Sequence, residues 1–229
     1  SEITKEDKKV LEEKMTAGEK LSSLKDYLDK FDYAVALLQI PDLIRKLASS
    51  LREDLIKDNV IYAEVRYAPL KHISYISMDE FIDIVYEELN KDKKLKVKLI
   101  LCMMRNDSKL NNMKVINLAK KHLKKEVVGI DLAGDEDSYP TKDFKDLFDY
   151  ANELKIPITI HSGESTNYKE VEAALNMYAK RIGHGIRSID NFDLINKLKD
   201  IDILLFLPEE QLEQILNKDL LLNYNSVLI

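Results

Sequence analysis

The stretch IPITIHSGES, residues 156–165, carries the reading of the fold. Ile156, Ile158 and Ile160 give it the branched, apolar composition of a buried strand. The run then stops at His161, Ser162, Gly163 and Glu164. A strand that ends in His, Gly and Glu is what an active site on the rim of a parallel barrel looks like. Two other segments share the pattern, VVGIDLAGDE at 127–136 and RIGHGIRS at 181–188. Five of the six glycines fall in these three segments, where a backbone must turn sharply or approach a ligand closely.

Working outward, strand-like and helix-like stretches alternate after residue 55. Strands are expected at 59–68, 96–104, 127–132, 157–161, 181–183 and 202–207. Helices are expected between and after them, at 78–91, 109–124, 143–154, 168–180, 191–199 and 209–217. Ser77 and Glu80 have the spacing of a capping box for the first of these helices. Repeated strand–helix units predict a parallel sheet covered by helices. Before them the chain reads as helix throughout, at 4–15, 23–38 and 42–57, with Pro41 suited to the first turn of the third helix. The expectation is one domain over 1–229: a helical preface at 1–58, βα units at 59–207, and a carboxyl-terminal helix and tail at 208–229.

Composition narrows the function. The 229 residues are 45% hydrophobic and 33% charged, as in a globular protein with a sizeable core. A net charge of −6 argues against a nucleic-acid partner. The basic residues are spread along the chain in runs such as KDKK and KKHLKK, which read as solvated helix faces. No apolar stretch approaches the length of a membrane span, and no signal-peptide pattern appears. Cys102 is the sole cysteine and lies inside the apolar run KVKLILCMM. It reads as a small core residue rather than a nucleophile, and an unpaired cysteine fits a reducing, cytoplasmic setting.

The chemistry concentrates at two histidines. A lone His after a strand is more often a hydrogen-bonded structural residue than a metal ligand. Glu164, three residues beyond His161, shifts that balance. A His ligand beside a carboxylate that is not a ligand can hold a metal-bound water and move its protons. His184 stands between Gly183 and Gly185, one βα unit later, so two histidines are expected on neighbouring strand ends. By itself a His in such a turn reads more readily as structural than as a ligand-facing group. Gly134, after the strand at 127–132, could present a backbone N–H to a substrate nitrogen. No P-loop, GxGxxG or GxSxG motif is present. Asp135 and Glu136 are adjacent, but nothing marks them as a glycosidase pair.

Taken together and in order, YAEVRYAPLKH, VVGIDLAGDE, IHSGES and RIGHGIRS resemble the adenosine deaminases of the metal-dependent hydrolase superfamily. TAGEKLSSLKDYLDKFD at 16–32 resembles the helical segment before that family's second barrel strand, and the likeness runs over about 16–205. The resemblance implies an eight-stranded α/β barrel with one catalytic zinc, and zinc-dependent hydrolysis of adenosine to inosine and ammonia, a step of purine metabolism. It implies that His161 is a zinc ligand and that Glu164 donates a proton to the purine ring nitrogen. It implies that His184 positions or deprotonates the metal-bound water, and that Gly134 recognises the far side of the purine. Zinc would lower the pKa of its water from about 15.7 to about 7. A proton-donating Glu needs a raised pKa, which burial would supply.

The sequence also departs from that pattern. The family's first strand ends in a His-x-His pair and its last in an Asp-Asp pair; neither dipeptide pattern occurs here. His72 and His122 lie in a post-strand loop and a basic helix. Of the four implied zinc ligands only His161 is matched, and a catalytic zinc takes three or more. The expectation is therefore an inactive chain with weak or absent zinc that at most binds a purine nucleoside. Ser162 stands where the family usually has Ala, a tolerable change. With the first and last strands lacking, the expected fold is an incomplete TIM-type barrel of about six parallel strands. Its open edges would be covered by the amino-terminal helices or by a second copy of the chain.

Overall fold

The apolar runs become parallel strands, and each of the first five is followed by a helix. The structure, a computed structural model, describes residues 8–16, 23–200, 204–206 and 227–228. The chain gathers into two compact units. One comprises Ser1–Leu101 with Lys124–Val127, and the other Cys102–Leu123 with Val128–Ile229.

The first unit begins with helices α1 (Lys8–Met15), α2 (Leu24–Leu28), α3 (Phe31–Leu37) and α4 (Pro41–Lys57). The expected helix at 23–38 is thus two short helices. Between them the backbone closes with tighter bonds, Lys30 N–H to the Tyr27 carbonyl and Asp32 N–H to the Asp29 carbonyl. Tyr27 and Phe31 meet edge to face across the break, with ring centres 5.3 Å apart. Pro41 occupies the first turn of α4, as its fixed φ and missing N–H favour. At the other end Asn59 takes φ 60°, and the Val60 N–H closes onto the Leu55 carbonyl. That left-handed cap delays strand β1 to Tyr62–Tyr67, three residues after its expected start.

β1 pairs in parallel with strand β2 (Lys96–Met104), Tyr62 opposite Lys96 and Tyr67 opposite Leu101. Helix α5 (Met78–Leu89) lies between them in sequence, and the Ser77 hydroxyl accepts the Glu80 N–H at 3.1 Å. Ile44 and Ala48 of α4 are buried, as are Phe81, Ile82, Val85 and Leu89 of α5. Arg52 of α4 donates to the Glu88 carboxylate at 2.6 Å and to the Glu88 carbonyl at 2.7 Å. His72 is buried in the turn before α5, its ring stacked on Phe81 at 4.7 Å and its Nδ1 3.1 Å from the Leu38 carbonyl.

The second unit carries the last residues of β2, then helix α6 (Lys109–His122), strand β3 (Val127–Ala133) from its second residue on, and helix α7 (Lys145–Glu153). Strand β4 (Thr159–Ser162), helix α8 (Tyr168–Asn176), strand β5 (Arg181–His184), helix α9 (Phe192–Asp200) and strand β6 (Leu204–Phe206) follow. Arg105 N–H bonds to the Ala133 carbonyl, and Ile130 bridges in parallel to Ile158. β4, β5 and β6 pair in parallel in that order. Ile130, Leu132, Phe148, Ile160 and Ile182 are fully buried in this unit.

A seventh strand, β7 (Val227–Leu228), lies within the stretch read as helix and tail. It pairs in parallel with β6, Leu205 opposite Val227. Two residues are too few for any periodicity to mark them in the sequence. The helix expected at 209–217 lies outside the described residues. No helix among the described residues is long and apolar enough to cross a membrane.

Candidate active site

In the second unit the carboxyl ends of β3, β4 and β5 bring together the segments singled out in the sequence. The β4–β5 register sets His161 opposite Gly183 and Ser162 opposite His184. A Cβ on Gly183 would lie 3.2 Å from His161 Cγ, so the glycine makes room for the imidazole on the neighbouring strand. His184 itself holds φ 64°, a conformation uncommon outside glycine and one that clusters at functional sites. The Gly185 N–H bonds back to the Ser162 carbonyl at 2.9 Å, and Arg187 N–H to the Gly163 carbonyl at 3.1 Å. The two imidazoles consequently face each other obliquely, their centres 5.4 Å apart with the planes inclined by 56°.

Glu164 joins them. Its Oε2 lies 3.5 Å from His184 Nε2, with both side chains about three-quarters buried. Burial pushes the Glu164 carboxyl above its ordinary range. The His161 ring opposes that rise, and the carboxylates of Glu136 and Asp137 add to it. On the other side of the cluster, His161 Nδ1 lies 2.9 Å from Oδ2 of Asp131, which is fully buried in β3. The buried Cys102 thiol lies 4.0 Å from the same carboxylate oxygen, packed in the core as a small residue. Gly134 follows β3 directly, with φ 108° in glycine's region.

Three residues of this arrangement have no role assigned to them in the sequence reading. Asp131 is a charge in the middle of the apolar run VVGIDLA, and that misplaced charge was the available signal. Arg105 is buried just after β2, where its guanidinium donates to the Tyr139 carbonyl at 2.5 Å, Thr141 Oγ1 at 2.9 Å and the His161 carbonyl at 2.8 Å. Glu136 is buried and accepts hydrogen bonds from the loop that carries Glu164. Neither Arg105 nor Glu136 stands out in sequence, because their partners lie far along the chain. Of the remaining histidines, His72 belongs to the first unit and His122 ends α6.

Among the described residues His161 is the one side chain that matches a zinc ligand by resemblance. Among the described residues no group of three or more His, Cys, Asp or Glu side chains is arranged to hold a metal ion. A catalytic zinc site takes three protein ligands; Asp131 engages Nδ1 of His161 and leaves Nε2 as the nitrogen a metal would use.

The family model described as adenosine deaminase matches residues 2–207. The chain belongs to the adenosine deaminase family. An adenosine deaminase of Enterococcus faecalis is 35% identical over 204 residues, 87% of this chain and 60% of that protein. An adenine deaminase from Arthrobacter aurescens superposes with a TM-score of 0.80 at 23% identity, covering 95% of this chain and 67% of that one. An amidohydrolase from Burkholderia ambifaria, solved with bound Zn, superposes with a TM-score of 0.73 at 22% identity, covering 85% of this chain and 53% of that one. These structural likenesses show the α/β fold of parallel strands and helices expected from the sequence. The deaminase-family chain spans about three-fifths of the length of the Enterococcus relative.

Proposed function

We propose that this chain supplies the purine-binding and proton-handling part of an adenosine deaminase site. The observation that carries the reading is Glu164 facing His184 at 3.5 Å with its carboxyl pushed up by burial. A carboxylic acid whose protonated form is favoured by burial can donate to a purine ring nitrogen and make the adjacent carbon a better electrophile. Gly134, at the end of β3, offers its backbone N–H to the far side of the purine. His184 is placed to orient a water beside Glu164 or to take its proton. The reaction these residues are arranged for is adenosine plus water giving inosine plus ammonia. The relatives' family name and the family motifs support adenosine as the substrate.

His161 is the residue that matches a zinc ligand by resemblance. With too few ligands among the described residues for a catalytic zinc, the 229-residue chain binds a purine without turning it over. Its single cysteine suits a reducing, cytoplasmic setting.

The test is a zinc assay on the purified chain, paired with adenosine titration by calorimetry and an adenosine-to-inosine absorbance assay. The expected result is well under one zinc per chain, measurable adenosine binding that Glu164→Gln weakens, and no inosine. Stoichiometric zinc with turnover abolished by Glu164→Gln would overturn the inactive reading. No binding of adenosine at millimolar concentration would overturn the purine reading itself.

A further inference from the structure

Glu136 sits two residues beyond Gly134 and is 3% exposed. A buried carboxylate must find hydrogen-bond donors, or the cost of taking its charge out of water is not met. The donors here come from one stretch of chain. The Gly163 N–H reaches Glu136 Oε2 at 2.9 Å. The Ser165 and Thr166 N–H groups reach Oε1 at 2.8 and 3.0 Å. The Thr166 and Ser165 hydroxyls lie 3.1 and 3.4 Å from the same oxygen. Successive backbone N–H groups turned toward one anion form a nest, and in this nest the anion is the protein's own side chain. Of residues 163–166, Glu164 is the one whose N–H is not engaged in the nest; its side chain instead faces His184.

We infer that Glu136 is a positioning residue: its buried carboxylate fixes the Glu164 loop against the Gly134 segment, so that two groups assigned to one purine are held at a set spacing. The inference rests on the purine reading of the site. The loop has few other ways to hold this shape. Gly163 has φ 67° and packs so closely on Val171 that a Cβ there would come within 2.5 Å of it. The Gly163 carbonyl is taken by Arg187 N–H. The remaining donors, at 163, 165 and 166, all turn to Glu136. The same charge also adds to the rise of the Glu164 carboxyl.

Glu136→Gln is the test, because Gln keeps the shape while replacing one acceptor oxygen by an NH₂ group that cannot accept. In wild type the amide protons of Gly163, Ser165 and Thr166 are expected downfield and slow to exchange. In the variant they move upfield and exchange about ten-fold faster or more, while amides of the β-strands keep their rates. Adenosine affinity, measured by calorimetry, falls about ten-fold or more. Glu136→Asp, which keeps the charge one methylene short, is expected to give intermediate values in both measurements. Equal adenosine affinity in wild type and Glu136→Gln would overturn the inference and leave the purine reading standing. Freed amides in a variant whose parent binds no adenosine would overturn the purine reading and leave the loop anchored by Glu136. If Glu136→Gln does not fold, the wild-type exchange rates and Glu136→Asp decide: three amides exchanging at open-loop rates would overturn the inference.

Discussion

Ser162 shows how much one residue's surroundings matter. It is fully buried at the end of β4, and its hydroxyl has no hydrogen-bond partner among the described residues. A buried hydroxyl left unsatisfied costs about 1–3 kcal/mol. Ser162→Ala is therefore expected to stabilise the chain by about 1 kcal/mol, read as a higher urea midpoint at unchanged slope. An unchanged or lower midpoint would mean the hydroxyl is satisfied, for instance by a water. The sequence showed only that Ser stands where the resembled family usually has Ala; burial of the oxygen makes the position a target. His161, Glu164 and His184 were legible for the opposite reason: histidine and glutamate at the end of an apolar run are conspicuous without any knowledge of neighbours.

The element that matters most is the turn from β4 into α8, held from three sides. Glu136 binds its N–H groups, the Ser162 and Gly163 carbonyls accept from Gly185 and Arg187, and Asn167 caps α8 by accepting the Lys169 N–H at 2.9 Å. Gly163 is the point where this turn admits no side chain. Its φ of 67° is costly for any residue with a Cβ, and that Cβ would press on Val171. Gly163→Ala is expected to destabilise by about 2–4 kcal/mol, the sum of a left-handed backbone and an overpacked contact. Chemical denaturation would show it; a loss under about 1 kcal/mol would mean the turn relaxes more easily than its packing implies. Helix boundaries were legible where a cap announced them, as Ser77 does for α5 and Pro41 for α4. They were not legible at 29–30, where no glycine or proline marks the break between α2 and α3.

At the scale of the whole chain, two buried groups give stability a pH dependence of opposite sign. The folded state raises the Glu164 carboxyl above its ordinary value of 4.5, chiefly by burial. Its contribution is full below that value and is lost as pH rises through the higher folded value. Burial lowers His72 from its ordinary 6.5, the Leu38 carbonyl partly opposing. Its contribution is present above 6.5 and is lost as pH falls through the folded value. Glu164→Gln removes the first effect, so its Tm is expected to exceed the wild-type Tm at pH 7–8, with the advantage gone near pH 4. A Tm difference that does not change with pH would show that Glu164 is not held protonated by the fold. The gain would come at the expense of the proposed proton donor, as is common where a site is built at a cost in stability.

What the sequence determined by itself is whatever depends on near neighbours. Alternating apolar runs set strand after helix, and short-range motifs placed His161 and Glu164 together, His184 in its glycine bracket and Gly134 at a strand end. What only the tertiary structure decided are the contacts that span many residues. Glu136 reaches the loop 27–30 residues ahead, Arg105 reaches the His161 carbonyl 56 residues ahead, and Asp131 meets His161 from the adjoining strand. The physical reason is range. Backbone periodicity and capping act within a few residues and leave a pattern in the sequence. A buried charge is placed by donors gathered from distant segments, and that gathering exists only once the strands have paired.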